Sequence, residues 1–529
     1  VYAIFFIFFN IYSFVILEFF LIVLFFLIFL NFFKKIGLNK IESLLLTLTI
    51  FSLPYLINFF QLYELPYLPK IGELYHLRFP RPAVTHLYLF SFFLLLISKN
   101  KKNEFKFLDL VLIGSLFSFM WGSYYYNLAI SGFLFIIYYF YITNNSNQNY
   151  SKYAKDFFSV LITFIIFSIP LILILLNSEP DYLIRVGLIN LDFNKKLIIL
   201  NHLFDKIFSL NFLLAFLLLT ILYFFLKIKN IYKTEGINLL YFIFLSAVLA
   251  PIIFTILSPT ISELYNFMNM LVALTFFVLL IYISLIIFMF IKNILFYNYL
   301  LYFCIISLVF LNIFSNYTSA KNNSLNINTV HFNELINELE DININIEDSV
   351  LTFNARVQTH FILQGYKNLP IVLSVNSPID DETLENKIIK MFYFYNLDRD
   401  VFKNFIENKF HGWRVMNINI GKTLYMKYLA NRLTTFQNSK NFSNKELDYI
   451  NKSSPFHSQI IIPISEIDRL MYKFDNFSNK HPLTPDLIII YRPSEFTKNV
   501  KLSKNTYCYK NINASYRIYY SKKNNPFCS

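Results

Sequence analysis

The segment Glu64-Leu-Pro-Tyr-Leu-Pro-Lys-Ile-Gly-Glu73-Leu-Tyr-His76-Leu-Arg78-Phe-Pro-Arg81-Pro82 concentrates two carboxylates, an imidazole and two guanidinium groups in one short stretch. Guanidinium groups are planar and forked, so Arg78 and Arg81 suit the oxygens of a phosphate or diphosphate, with His76 as a further donor. Glu64 and Glu73 would then act, by position alone, as the carboxylate that deprotonates or orients an acceptor hydroxyl. A plainer use competes with this one. Arginines beside a membrane snorkel to headgroups, and prolines shape loops.

Other residues add to the polar inventory. Glu179, Asp181, Arg185, Asp192, His202 and Asp205 share one long loop, and the turn Ser258 to Asn266 carries Glu263 and Tyr265. Arg185 and Tyr265 are candidate substrate-binding residues that would complete a cleft with the first loop. None of these acids and histidines has the spacing of a metal site. Glu18 lies inside an apolar run, where an ionisable group is costly and faces a partner or a cavity. The segment Trp121-Gly-Ser-Tyr-Tyr-Tyr-Asn127 suits an interfacial aromatic belt, or a platform on which a substrate stacks.

The elements that must hold these groups are helices in a bilayer. The chain has 529 residues, is 56% hydrophobic with 64 Phe, and has a mean hydropathy of +0.49, too apolar for a soluble fold. The plenty of Phe, Ile, Asn, Lys and Tyr beside 10 Gly reads as an AT-rich coding bias, so the Phe content carries no message of its own. Ten apolar runs are expected to span: Ile11 to Phe33, Ile41 to Phe60, Pro82 to Ile97, Phe107 to Trp121, Tyr125 to Ile142, Phe157 to Leu176, Leu210 to Leu226, Leu239 to Leu257, Met268 to Ile291 and Tyr299 to Phe314.

Alternate loops are basic: Lys34, Lys35 and Lys40; Lys99, Lys101, Lys102 and Lys106; Lys152 and Lys155; Lys227, Lys229 and Lys233; and Lys292. The positive-inside rule makes these loops cytoplasmic and turns the acid- and arginine-bearing loops outward. A first span leaving Ile11 toward Lys34 then begins outside, and the chain starts with Val1. This fits a sequence lacking at least one earlier helix and its outer loop, or else an N-out chain or a differently drawn first span.

The expected organisation is a membrane domain over 1–315, a linker over 316–328 and a soluble extracytoplasmic domain over 329–529. Ser349 to Thr352, Ile371 to Ser374 and Asp486 to Tyr491 read as buried strands, Asp381 to Tyr395 and Arg399 to Asn408 as helices. Tyr507 to Tyr509 and Tyr516 to Tyr520 read as a hairpin about Asn511 to Ala514, which makes a small α/β domain. It contains no P-loop, GxGxxG, HExxH or GxSxG, which argues for a lid, docking or scaffold role. The net charge of +13 lacks the basic helix or aromatic-interleaved groove of a nucleic-acid binder and reads as topology signals. Cys508 and Cys528 would form a bridge in an oxidising compartment.

In this order of features the chain resembles the multi-spanning GT-C glycosyltransferases, and within them a bacterial branch. The resemblance rests on Arg78-Phe-Pro-Arg81-Pro82, the helix running into Trp121-Gly-Ser-Tyr-Tyr-Tyr, and Tyr182-Leu-Ile-Arg185-Val-Gly187. In the tail it rests on Ser349-Val-Leu-Thr-Phe, Asp381-Glu382 before a helix and Tyr516-Arg-Ile-Tyr519. It implies transfer of a sugar from a polyprenyl-phosphate carrier to an exported glycan or lipid, with inversion, at the outer face of a bacterial inner membrane. Its partners would be membrane lipid, the polyprenyl-phosphate-sugar donor and the acceptor. The usual base of that class is an acid in the first outer loop, which carries over to no residue of this chain. Some members hold a divalent metal beside the phosphate and others do not, and both stay open here.

Two other functions compete. A transporter or flippase of lipid-linked material would show two related halves with broken helices and charges at mid-membrane, yet apart from Glu18 the spans are nearly free of charge and no repeat is evident. A non-catalytic assembly protein would use the tail to hold a partner.

Overall fold

The computed structural model describes residues 13–61, 83–98, 105–144, 150–178, 188–190, 193–262, 265–342, 344–352, 354–366, 368–370, 380–407, 464–478, 482–492, 500, 502–503 and 505–522. By its contacts the chain divides into two units. One comprises Val1–Asn177, Leu191–Pro259 and Glu263–Thr318; the other comprises Ser178–Asn190, Thr260–Ser262 and Ser319–Ser529.

The first unit is helical: α1 (Ser13–Ile36), α2 (Lys40–Phe59), α3 (Ala83–Ile97), α4 (Phe107–Asn144), α5 (Tyr150–Leu176), α6 (Phe193–Ile207), α7 (Leu210–Lys229), α8 (Thr234–Leu257), α9 (Tyr265–Ile291) and most of α10 (Tyr297–Ser324). Among the described residues eight of its helices are long and apolar enough to cross a membrane, and α3 supplies a shorter apolar helix, Thr85–Ile97. This is a multi-pass membrane protein.

The long α4 is not one rod. Tyr124 leaves helical geometry at φ −154°, ψ 84°. Beyond it the chain folds back, because the Phe117 and Phe135 rings lie 6.0 Å apart, where an unbroken helix would hold them about 27 Å apart. Ser131 Oγ likewise reaches Met120 Sδ at 3.3 Å. The two arms cover the ranges expected for two spans, with the reversal inside Trp121 to Asn127. The first arm fits closely against α5 at Gly114, where a Cβ would come within 2.7 Å of Thr163 Cβ and the Val160 carbonyl. A small residue here lets the backbones approach. Ser118 and Ser168 also meet across this contact at 3.0 Å.

The lysine-bearing ends of the helices gather together. Lys233 N donates to Ile36 O at 3.0 Å, and Tyr232 Oη donates to Leu285 O at 2.8 Å. Asn238 accepts from Tyr223 Oη at 2.9 Å and donates to Tyr141 Oη at 2.6 Å, joining α7, α8 and the second arm of α4. A capping box starts α2: Asn39 Oδ1 accepts from Glu42 N and Glu42 Oε2 accepts from Asn39 N, both at 2.9 Å. Tyr297 Oη at the start of α10 donates to the other Glu42 oxygen at 2.6 Å, which satisfies a carboxylate only 3% exposed. At mid-height Phe29, Phe90 and Phe277 from α1, α3 and α9 pack at 4.7–5.8 Å.

α10 runs on to Ser324, so residues 316–324 of the expected linker are helix; Asn316 Oδ1 accepts from Tyr55 Oη at 2.7 Å. The second unit contains α11 (Ile327–Asp341), β3 (Val350–Thr352), α12 (Ala355–Leu363), α13 (Asp381–Phe394), α14 (Arg399–Glu407), α15 (Ile464–Asp475), β4 (Leu487–Tyr491), β5 (Tyr507–Asn511) and β6 (Tyr516–Ser521). Its sheet has the order β3-β4-β6-β5, with β3 and β4 parallel and the other pairs antiparallel. β5 and β6 form the hairpin expected from the sequence, whereas the expected strand Ile371 to Ser374 lies outside the described residues.

Strand residues alternate between two cores. Leu351, Ile488, Ile490 and Tyr519 pack with Phe392, Phe402, Leu470 and Phe474 of α13–α15. Val350, Leu487, Ile489 and Ile518 pack with Leu335, Val357 and Phe361 of α11 and α12. The unbroken apolar run in β4 follows, since both faces of that strand are buried. Two further strands of this unit, β1 (Leu188–Asn190) and β2 (Thr260–Ser262), pair antiparallel with Leu188 opposite Ser262.

Glu385 ties α13 to α15. Arg469 reaches its two oxygens at 2.6 and 3.2 Å and Lys473 reaches one at 2.9 Å. Burial pushes the Glu385 carboxyl up, but the hydrogen bonds and charges of Arg469 and Lys473 outweigh it and hold the group below its ordinary 4.5. Because the folded value is lowered, this contribution is complete above the unfolded value and is lost as pH falls through the folded one. Glu385→Ala should cost about 2–3 kcal/mol, below the figure for a fully buried pair because Arg469 keeps 43% of its side chain exposed. Protease susceptibility of the tail in the full chain, followed against pH, should show the wild type losing its advantage over the variant below pH 4.5.

Candidate functional site

The end of the bundle opposite the lysines is built from the reversal in α4, the start of α3, the end of α8 and the start of α9. His86 and Tyr124 meet edge to face at 5.6 Å. Tyr125 packs on Phe254 at 5.4 Å and on Phe267 at 5.9 Å, and Tyr126 packs on Phe267 at 4.5 Å. The reversal occurs here because consecutive tyrosines have polar tips that seek the interface while their rings pack. Tyr126 is buried and Tyr124 and Tyr125 are half-buried, so the tip offers partly open aromatic surface.

Asn127 stands directly below the tyrosines and is fully buried. Its Nδ2 donates to Thr85 O at 3.1 Å, which pins the start of the second arm to the first turn of α3. Its Oδ1 has no hydrogen-bond donor among the described residues. A buried carbonyl oxygen left so carries a desolvation cost, and it is equipped to accept a hydrogen bond from a hydroxyl or a water.

Helix register brings Glu18 to this end of the bundle. α1 and α3 run parallel, with Phe25 against Phe90 at 6.3 Å. Glu18 lies two turns before Phe25 on the same face of α1, about 10 Å further along, and Ala83 lies as far before Phe90. Phe90 packs closer still on Phe29, at 4.7 Å and a turn further along α1, so the half-buried Glu18 lies at the start of α3 or up to about one turn (~6 Å) beyond it.

Glu64, Glu73, His76, Arg78, Arg81 and Arg185 lie outside the described residues. Tyr265 is the first residue of α9, two before Phe267, and its side chain also lies outside them.

No family model, curated protein or solved structure matches the chain.

The function therefore rests on the chemistry of the tip. Sequence reasoning gave Trp121 to Asn127 and Glu18 but missed Thr85, His86, Phe254 and Phe267. For His86 the signal was present, a histidine one turn into an otherwise apolar helix. Phe254 and Phe267 carried none, being two among many phenylalanines. Among the described residues no three His, Cys, Asp or Glu side chains cluster as metal ligands.

Proposed function

We propose that this chain is a membrane glycosyltransferase of the GT-C type, with about ten spans when α3 and both arms of α4 are counted. It transfers a sugar from a polyprenyl-phosphate carrier to an exported glycan or lipid at the outer face of a bacterial inner membrane. The observation that carries this reading is the tip itself: half-buried tyrosines, a buried carbonyl acceptor and an acid at one end of a bundle whose short lysine-bearing loops lie at the other. Carbohydrate rings stack on aromatic faces, and the positive-inside rule turns the lysine end to the cytoplasm. Cys508 is disulfide-bonded, which supports an extracytoplasmic tail.

In this reaction Arg78 and Arg81 hold the carrier phosphate at the start of α3, with His76, Arg185 and Tyr265 as further contacts. The acceptor hydroxyl oxygen attacks the anomeric carbon, the bond from that carbon to the phosphate oxygen breaks, and polyprenyl phosphate leaves with the electron pair. The hydroxyl proton passes to a carboxylate. Glu18 joins Glu64 and Glu73 as a candidate for that base.

The test is turnover by the full chain in nanodiscs, supplied with radiolabelled polyprenyl-phosphate hexoses and pentoses and a lipid and glycan extract as acceptor. Release of polyprenyl phosphate with label on the acceptor is the expected result. Movement of a fluorescent lipid-linked sugar across a vesicle without bond cleavage would replace this reading with a flippase. Neither activity would leave an assembly protein.

A further inference from the structure

The sequence reads Glu179 to Asp205 as part of one long outer loop, yet Phe193–Ile207 is a helix, α6, between two spans in the chain. Its two ends are pinned at the same height. Lys196 Nζ donates to Ile256 O at 2.7 Å, in the last turn of the span α8, where a helix leaves carbonyls unpaired. At its other end Phe208 and Ser209 lead directly into Leu210, the first residue of the span α7. α8 ends and α7 begins on the tip side of the bundle, so the axis of α6 lies along the plane in which those spans terminate.

Its faces are sorted around that axis. Ile199 and Leu203 are fully buried, and this is the side turned toward the protein. Asn201 is exposed at the edge of the apolar stripe, about 20° beyond Phe208, and Asp205 is exposed about 60° beyond Phe208. Phe193, Leu197 and Phe204 fall within about 40° of one another on a helical wheel and are 74%, 43% and 37% exposed, with Phe208 continuing the line at 65%. After the break at Ser209 the chain enters α7, where Leu210, Leu214 and Leu217 are 72%, 56% and 56% exposed.

We infer that α6 is an in-plane interfacial helix whose Phe193–Leu197–Phe204–Phe208 stripe is covered by the acyl chains just beneath the lipid headgroups. Its occupant is the bilayer and not a protein partner, because the stripe leads directly into a span with exposed apolar residues and both helix ends sit at span termini. Amphipathic helices of this kind immerse their apolar side to roughly 5–10 Å while polar side chains stay among headgroups and water. The inference does not depend on glycosyl transfer.

Nitroxide labels test it in the full chain. In a Cys304→Ser background, Phe193→Cys, Leu197→Cys, Phe204→Cys, Asn201→Cys and Asp205→Cys are labelled singly in phosphatidylcholine–phosphatidylglycerol nanodiscs. Collision with oxygen and with a water-soluble nickel chelate is then measured for each. All five positions are partly or fully open, so the labels disturb no core packing. Labels at 193, 197 and 204 should collide preferentially with oxygen, at a depth of roughly 5–10 Å, the label at 205 with the chelate, and the label at 201 should fall between. Equal chelate access at all five positions would overturn the inference, as would shielding of the stripe from both reagents, which would mean protein covers it.

Discussion

Replacing Arg78 and Arg81 together by alanine should lower turnover of a polyprenyl-phosphate sugar by at least about 100-fold, the scale seen when a preorganised donor to developing charge is removed. The expectation follows from charge balance. As the bond to the anomeric carbon breaks, the leaving phosphate gains negative charge at a site beside low-dielectric lipid, and the electrostatic worth of a fixed cation rises there. Two forks can meet the phosphate in two directions. Lysine supplies only a point charge, so R78K/R81K should recover little. If the arginines merely snorkel to headgroups, turnover will be unchanged in both variants and the lysine pair will behave as wild type. An assay at saturating donor separates the cases further: loss of kcat marks contacts made in the transition state, and a rise in KM alone marks ground-state binding.

The membrane half was legible because bilayer spans impose long apolar runs and short basic loops, and little else in a sequence imitates them. The reversal at Tyr124 was legible for the same reason in negative, since Trp121 to Asn127 interrupts apolarity with groups that prefer an interface. What escaped were features whose signal is spread between distant residues. α6 was hidden because Lys196, Asn201 and Asp205 break the hydropathy of a short helix whose apolar positions serve two different faces. The continuation of α10 past Phe314 was hidden because Asn and Lys dominate there, while its contacts with α2, Asn312 to Ser52 and Asn316 to Tyr55, lie far away in sequence. β1 and β2 are three residues each, too short for alternation to register.

The tip teaches the same lesson about function. Asn127 stood inside a segment already singled out, but its meaning comes from Thr85, which arrives from another helix and accepts from its amide, leaving a buried carbonyl oxygen with no donor among the described residues. The height of Glu18 comes from Phe90 and not from its own neighbours. Spacing along the chain can nominate such residues, but only packing can put them at one end of the bundle.

Cys508→Ser should destabilise the tail by about 3 kcal/mol, the entropy otherwise removed from a loop of some twenty residues. Cys304 is free, so the only partner within this chain for the bonded Cys508 is Cys528. For a unit of this size the loss lowers the melting temperature by roughly 6–12 °C, and a reductant should impose the same shift on the wild type but none on the variant. The bond also reports compartment, since thiols in a cytoplasm stay reduced. In intact cells a membrane-impermeant maleimide should therefore label the tail only after treatment with an impermeant reductant. Labelling without reduction would mean a free thiol on the outer side and overturn the bridge, whereas no labelling until the membrane is opened would place the tail on the side of the lysines. It would then lie on the far side of the membrane from Arg78, Arg81 and the tyrosine tip, and could not serve as a lid or docking surface for their substrate. The stability measurement and the labelling measurement fail independently: a reduced but folded tail sinks the first, a protected tail the second.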